Sequence, residues 1–261
     1  MTPAAGEGPP PTPGASRRAR PPLVAVVGYT LRTALPGRRW VGVLLPCAAA
    51  VLFGLLVRGL EGDPADEFAR VAALALFPLV LPVTCLVVGD AVLGAEVRSG
   101  AFSFTWLSPV PTWQIALGRW AGGTILASGS MAVACALAAA VAGAGESAGA
   151  AATGGAFGAA AYVAVFVAIG CIARRAAVWS LAFVFLVERL LGAALSGIAQ
   201  LSPSWEARAA FVDFADAPAD LVREGIPHGT AALVRLVVIT AVALAVAAVR
   251  LRHLTLAGSS D

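Results

Sequence analysis

The sequence predicts an all-α membrane protein with about six transmembrane helices, an N-terminal interfacial helix and a short interfacial helix between the second and third spans. Three observations predict it. Hydrophobic residues make up 59% of the 261 residues, and charged residues only 13%. A soluble domain carries about 25% charged residues, roughly twice as many. The apolar residues gather in runs near the length needed to cross a bilayer. The arginines sit mainly at the ends of those runs, where a charged head reaches water. A disordered chain is excluded by the same composition.

Residues 1–22 are rich in Pro, Gly and Ala and end in Arg17, Arg18 and Arg20; they read as a disordered cytoplasmic tail. Residues 23–36 are apolar but too short to span. Arg32 interrupts them and Pro36 ends them, so an amphipathic helix on the membrane surface is expected. The first span is read over 40–58, after Arg38 and Arg39. A polar acidic loop follows. The second span is read over 70–90, with Pro78 and Pro82 predicting a kink. Further spans are read over 116–142, 152–172, 177–200 and 231–249. Arg174 and Arg175 mark a tight turn, and a short helix is expected near 204–214. The transmembrane domain thus covers 23–252, and 253–261 form a cytoplasmic tail.

Orientation follows from the arginines. With the N-terminus inside, twelve arginines fall on inner segments and five on outer ones, while Arg189 lies within a span. An even number of spans puts both termini in the cytoplasm, and the acidic residues lie mostly in the outer loops. The arginine- and alanine-rich composition points to a GC-rich genome, and a multi-pass protein of a bacterial cell membrane is expected.

Several chemistries are excluded or disfavoured. All 18 basic residues are arginine. With no lysine there is no Walker A phosphate loop, and a lysine base or Schiff base is impossible. The four cysteines lie in or beside apolar runs without CxxC spacing, which reads as packing rather than zinc binding. No HExxH, paired carboxylates or Ser/His dyad suggests a membrane-embedded enzyme. No internal repeat suggests a secondary transporter. The +3 net charge is not gathered on a surface suited to nucleic acid.

Small residues crowd the third and fourth spans, as in ACALAAAVAGAG and GGAFGAAAY. This density reads either as a tight helix interface or as codon bias. Asp90, Glu188 and Arg189 are the ionisable residues within or at the end of spans. Asp90 reaches water at a helix end. Glu188 and Arg189 are adjacent, about 100° apart on a helix, so at least one faces another helix or an aqueous cavity. A gating role and a structural interhelical contact are both open.

Residues 89–120, GDAVLGAEVRSGAFSFTWLSPVPTWQIALGRW, carry the most information. Glu96, Arg98, Ser99 and Gly100 precede a bulky stretch with Phe102, Phe104, Trp106 and Leu107. Pro109 and Pro111 then fix the backbone before the next helix. Read by itself, the segment is either a partner-docking loop or an interfacial loop with aromatic residues at headgroup level. It resembles the cytoplasmic loop of ABC-2 type transporter permeases, and the wider plan of spans is similar too. Ala101 stands where a threonine is common, Trp113 where a basic residue is frequent and Arg119 where a lysine is common. The resemblance implies a permease subunit of an ATP-binding cassette transporter, more often an exporter, and not itself an enzyme. Residues 96–111 would then form a coupling helix seated on an ABC ATPase subunit. ATP and magnesium would bind that subunit, with no cofactor or metal on this chain. A second permease copy, identical or different, would complete the pore in the lipid bilayer. The alternative class is a non-transporting accessory or assembly membrane protein.

Overall fold

A computed structural model of the protein describes residues 21–34, 40–94, 110–173, 175–191, 200–221 and 227–252. Among these residues every regular element is helical. Four helices are long and apolar enough to cross a membrane: Pro64–Val92, Thr112–Ala142, Gly145–Ile172 and Gly229–Arg252. Two shorter apolar helices, Leu44–Arg58 and Ala176–Leu186, accompany them.

Helix α1 (Pro22–Ala34) opens on a proline, whose missing N–H costs nothing at a helix start, and carries Arg32 in its last turn. Helix α2 (Trp40–Arg58) is apolar throughout, as expected from 40–58. The expected polar loop then needs correction, because its second half is helical. Helix α3 (Pro64–Val71) starts at Asp63, whose carboxylate accepts from the Ala65 N–H at 2.9 Å. Its Phe68 is buried, so PADEFAR is an amphipathic helix rather than a loop.

The same rod continues through a π-helical segment, Ala72–Val80, into α4 (Leu81–Gly89) and a second π segment, Asp90–Gly94. Pro78 lies inside the first wide turn, and Pro82 stands just after it, in the first turn of α4. The Leu81 N–H reaches back to Leu76 O, five residues away. The wider π turn is how this span accommodates its prolines.

Helix α5 (Thr112–Ala142) begins after Pro111, a turn earlier than expected, and ends at Gly143. Gly143 has φ 89°, the left-handed conformation that lets the chain reverse without a Cβ clash. One 3₁₀ turn, Gly145–Ser147, leads into α6 (Ala148–Ile172). After a turn at 173–175, α7 (Ala176–Ala182) continues as a third π segment, Phe183–Leu191. Helix α8 (Pro203–Phe214) matches the short helix expected near 204–214, and α9 (Gly229–Arg252) ends the described chain.

Helix α5 packs along α6 and α2, and α9 along α6. The small residues do bring helices close. A methyl group added at Gly54 would lie 2.7 Å from Ala138 O, and one at Gly155 would lie 2.8 Å from Cys135 Sγ. At this separation polar side chains reach neighbouring backbones. Trp120 Nε1–H donates to Ala160 O at 3.0 Å, and Ser128 Oγ donates to Ala156 O at 2.7 Å. Such bonds hold helices together where lipid offers no hydrophobic drive. Cys85, Cys135 and Cys171 are buried free thiols in this packing, with Cys47 half-buried.

The two ends of the bundle differ in charge. Helix α1, the start of α5 and the α6–α7 turn lie at one end, with the described residues Arg32, Arg175, Arg250 and Arg252 on that side. Asp90 is the one described acid there. Glu61, Asp63, Asp66, Glu67 and Glu146 lie at the opposite end with α8, where, together with the acids of α8, they outnumber Arg58, Arg70, Arg208 and Arg235. Helix α8 is more deeply packed than its polar sequence suggests. Ala207, Ala210 and Phe211 are buried, and Phe211 meets Phe68 and Phe77 with ring centroids 5.9 and 5.2 Å apart.

Candidate functional site

Two places gather the chemistry. The first is the root of the segment singled out in the sequence. Glu96, Arg98, Ser99, Gly100, Phe102, Phe104, Trp106 and Pro109 lie outside the described residues, and Pro111 stands directly before the first turn of α5. The described helices on either side are fastened together at Arg119. Its side chain is 1% exposed, although it belongs to a long apolar helix. Its Nη1 donates to Val92 O at 3.3 Å, at the end of the preceding rod. Its guanidinium also lies 5.0 Å from the ring centre of Tyr29 on α1, within cation–π range. One arginine therefore joins the helix before the segment, the helix after it and α1.

Helix α1 reaches this position because α5 presents glycines one turn apart. A methyl group at Gly118 would meet Val26 Cγ1 at 2.7 Å, and one at Gly122 would meet Thr30 Cβ at 2.7 Å. Thr30 turns its hydroxyl back to Val26 O at 2.9 Å, so the face toward α5 is apolar. Sequence reading placed Arg119 among the inner arginines but gave it no role. Its spacing from Val92 and Tyr29 carries no local pattern that would have shown the contact.

The second place is inside the bundle. Glu188 lies on the π segment Phe183–Leu191 and turns toward α6 and the start of α8. The buried Tyr162 hydroxyl donates to Glu188 Oε2. Ser202 Oγ donates to Oε1 at 2.7 Å, and Ser204 Oγ to Oε2 at 3.5 Å. Ser202 is also the N-cap of α8, accepting from the Trp205 N–H at 3.4 Å. The carboxylate thus ties a membrane helix to a helix cap through hydroxyl donors. This meets the expectation that at least one of Glu188 and Arg189 faces another helix. The Arg189 side chain lies outside the described residues. Asp90 is half-buried at the other end, in the π segment Asp90–Gly94, and lines a small niche with Gly170, Ala176 and Ser180.

Hydrogen bonds to a charged group each contribute about 1.5–3 kcal/mol. Tyr162→Phe is therefore expected to lower stability by about 2 kcal/mol, read as a lower midpoint in detergent unfolding. Phe166→Tyr, one turn away, serves as a control for ring substitution. An unchanged midpoint in Tyr162→Phe would show that Glu188 does not depend on this donor.

Helix α8 carries a further buried carboxylate. Glu206 is fully buried, and Arg235 Nη1 on α9 donates to its Oε1 at 3.3 Å. Burial pushes the Glu206 carboxyl above its ordinary range, while the Arg235 hydrogen bond and charge pull it back. Sequence reading missed this pair because its members are 29 residues apart. Among the described residues no group of three or more His, Cys, Asp or Glu is gathered to hold a metal ion.

The fold and these sites define the class as an all-helical protein built to sit in a membrane. Compared with known proteins, the chain matches no family model and no curated protein.

Proposed function

We propose that the chain is the membrane-spanning permease subunit of an ATP-binding cassette transporter, an exporter driven by a separate ATPase subunit. In this reading α2 and the α7 rod complete six spans, and the arginine-rich end faces the cytoplasm with both termini. The protein lies in the cell membrane of a bacterium and pairs with a second permease copy. Residues 96–111 dock on the ATPase, which holds the ATP and magnesium; this chain carries no catalytic residue.

The observation that carries the reading is the fastening at Arg119. A loop transmits a push only when the helices at its root move together. Here the residues ahead of the segment, the start of α5 and α1 share one buried guanidinium. The sequence of the segment supplies bulky anchors, Phe102, Phe104 and Trp106, of the kind that fill partner pockets. The Glu188 cluster supplies a polar contact between α6, α7 and α8 that has to change if those helices separate during transport.

The test is affinity purification of the tagged protein in mild detergent, with identification of the co-purifying chains by mass spectrometry. A stoichiometric P-loop ATPase is expected. A clean preparation without one, repeated after crosslinking in membranes, would favour an accessory membrane protein. With the complex in hand, Glu96→Ala or Phe104→Ala is expected to lower transport at least about tenfold per ATP hydrolysed, equivalent to about 1.4 kcal/mol of lost coupling. Unchanged coupling in both variants would remove the docking role from this segment.

A further inference from the structure

We infer that the groove between the end of α6 and α7 holds one acyl chain of an anionic phospholipid, whose headgroup is drawn there by Arg175. The groove encloses about 520 Å³ and is lined by Ile169, Ile172, Trp179, Ala182, Phe183 and Leu186. Among the described residues its lining is apolar, which suits a hydrocarbon chain better than a polar solute.

Its length and its charge select among hydrocarbons. From the turn at Arg175 to Leu186 the helix rises ~16 Å at 1.5 Å per residue. That is one leaflet of a hydrocarbon core ≈ 30 Å thick. One end of the groove lies at Ala173, two residues before Arg175. Arg175 is exposed, and among the described residues no carboxylate pairs with it. Trp179, 61% exposed, lines the groove one turn deeper, where an indole sits at the headgroup boundary. An apolar trough one leaflet long with an exposed arginine beside one end is complementary to a single-tail contact under a phosphate. On the orientation proposed above, which this step rests on, the leaflet on the arginine-rich side is also the one whose anionic lipids attract basic residues.

The experiment uses the full chain in nanodiscs containing lipids brominated on the acyl chain. Bromine quenches indole fluorescence on contact, and subtraction of the Trp179→Phe signal isolates Trp179 from the other tryptophans. At equal mole fraction, brominated phosphatidylglycerol is expected to quench Trp179 with about fivefold higher apparent affinity than brominated phosphatidylcholine, the preference one arginine gives at an anionic surface. Arg175→Glu should erase that preference, and Ala182→Phe, which fills the groove, should reduce quenching by both lipids. Far-ultraviolet circular dichroism establishes that each variant is folded, and only folded variants are read. Equal affinity for both lipids in the unsubstituted chain would overturn the inference. So would full anionic quenching in folded Ala182→Phe, or absent quenching with efficient Val178→Cys crosslinking between two copies, which would mean that a second chain occupies the groove.

Discussion

Arg119→Ala is expected to lower stability by about 3 kcal/mol, which is roughly 6–12 °C in melting temperature for a chain of this size. The side chain is among the largest that are fully buried, so truncation removes packing volume as well as polar contacts. Val92 O loses its charged donor, and the Tyr29 ring loses the cation resting near it. Arg119→Lys separates the two effects. Lysine keeps the charge and much of the stem but offers a point donor in place of a planar fork. It should recover less than half of the lost stability. Arg175→Ala, an exposed arginine at the same end, should change the melting point little in detergent. Equal small effects of Arg119→Ala and Arg175→Ala would refute the fastening.

The same variant bears on function in a way stability alone does not. Held at a temperature where Arg119→Ala remains folded, the protein should show protease cleavage in α1 that the unsubstituted chain resists. Helix α1 has two supports on α5, the glycine pair at Gly118 and Gly122 and the Arg119–Tyr29 contact. Loss of one support should loosen the helix without releasing the bundle.

These contacts mark the boundary of what the sequence makes legible. Helix positions were legible because the bilayer imposes a length and a composition on every span. The helix over 40–58 has the limits its apolar run predicts, and the short helix near 204–214 and the turn at Arg175 stand where local chemistry puts them. PADEFAR was misread because its charges lie on one face. The acidic count concealed a buried Phe68, which only helical periodicity reveals. The partners of Glu188 were not legible. Tyr162 lies 26 residues before it and Ser202 14 after it, and no repeat relates those positions. The small-residue runs left an interface and a codon bias equally open, because alanine satisfies both. Contact distances decide it at individual glycines, where a single added carbon would collide.

Gly154 and Gly158 allow the most selective test of that packing. Both face Ala207 on α8, but they meet different atoms. A methyl group at Gly154 would stand 2.7 Å from the backbone oxygen of Ala207, and one at Gly158 would stand 2.7 Å from its Cβ. The Ala207 Cβ contact can be relieved by shortening Ala207, leaving Leu81 Cδ2 at 2.9 Å, a side-chain end that can turn, whereas the backbone contact cannot be relieved. Gly154→Ala and Gly158→Ala should each destabilise by about 1–3 kcal/mol, the usual cost of overpacking. Ala207→Gly alone should cost about 0.5–1 kcal/mol through helix propensity. Combined with Gly158→Ala it should restore most of the loss, giving a coupling energy above the roughly 0.5 kcal/mol scatter of independent sites. Combined with Gly154→Ala it should add its own cost and rescue nothing. Because Ser202 and Ser204 open the helix that Ala207 anchors, displacing α8 should also withdraw two hydroxyls from Glu188. Tyr162→Phe should then have a changed effect in the Gly154→Ala background, since the carboxylate would already have lost donors. Additive behaviour both of Gly158→Ala with Ala207→Gly and of Gly154→Ala with Tyr162→Phe would mean that α8 and the α6 glycines are not packed as closely as these distances require.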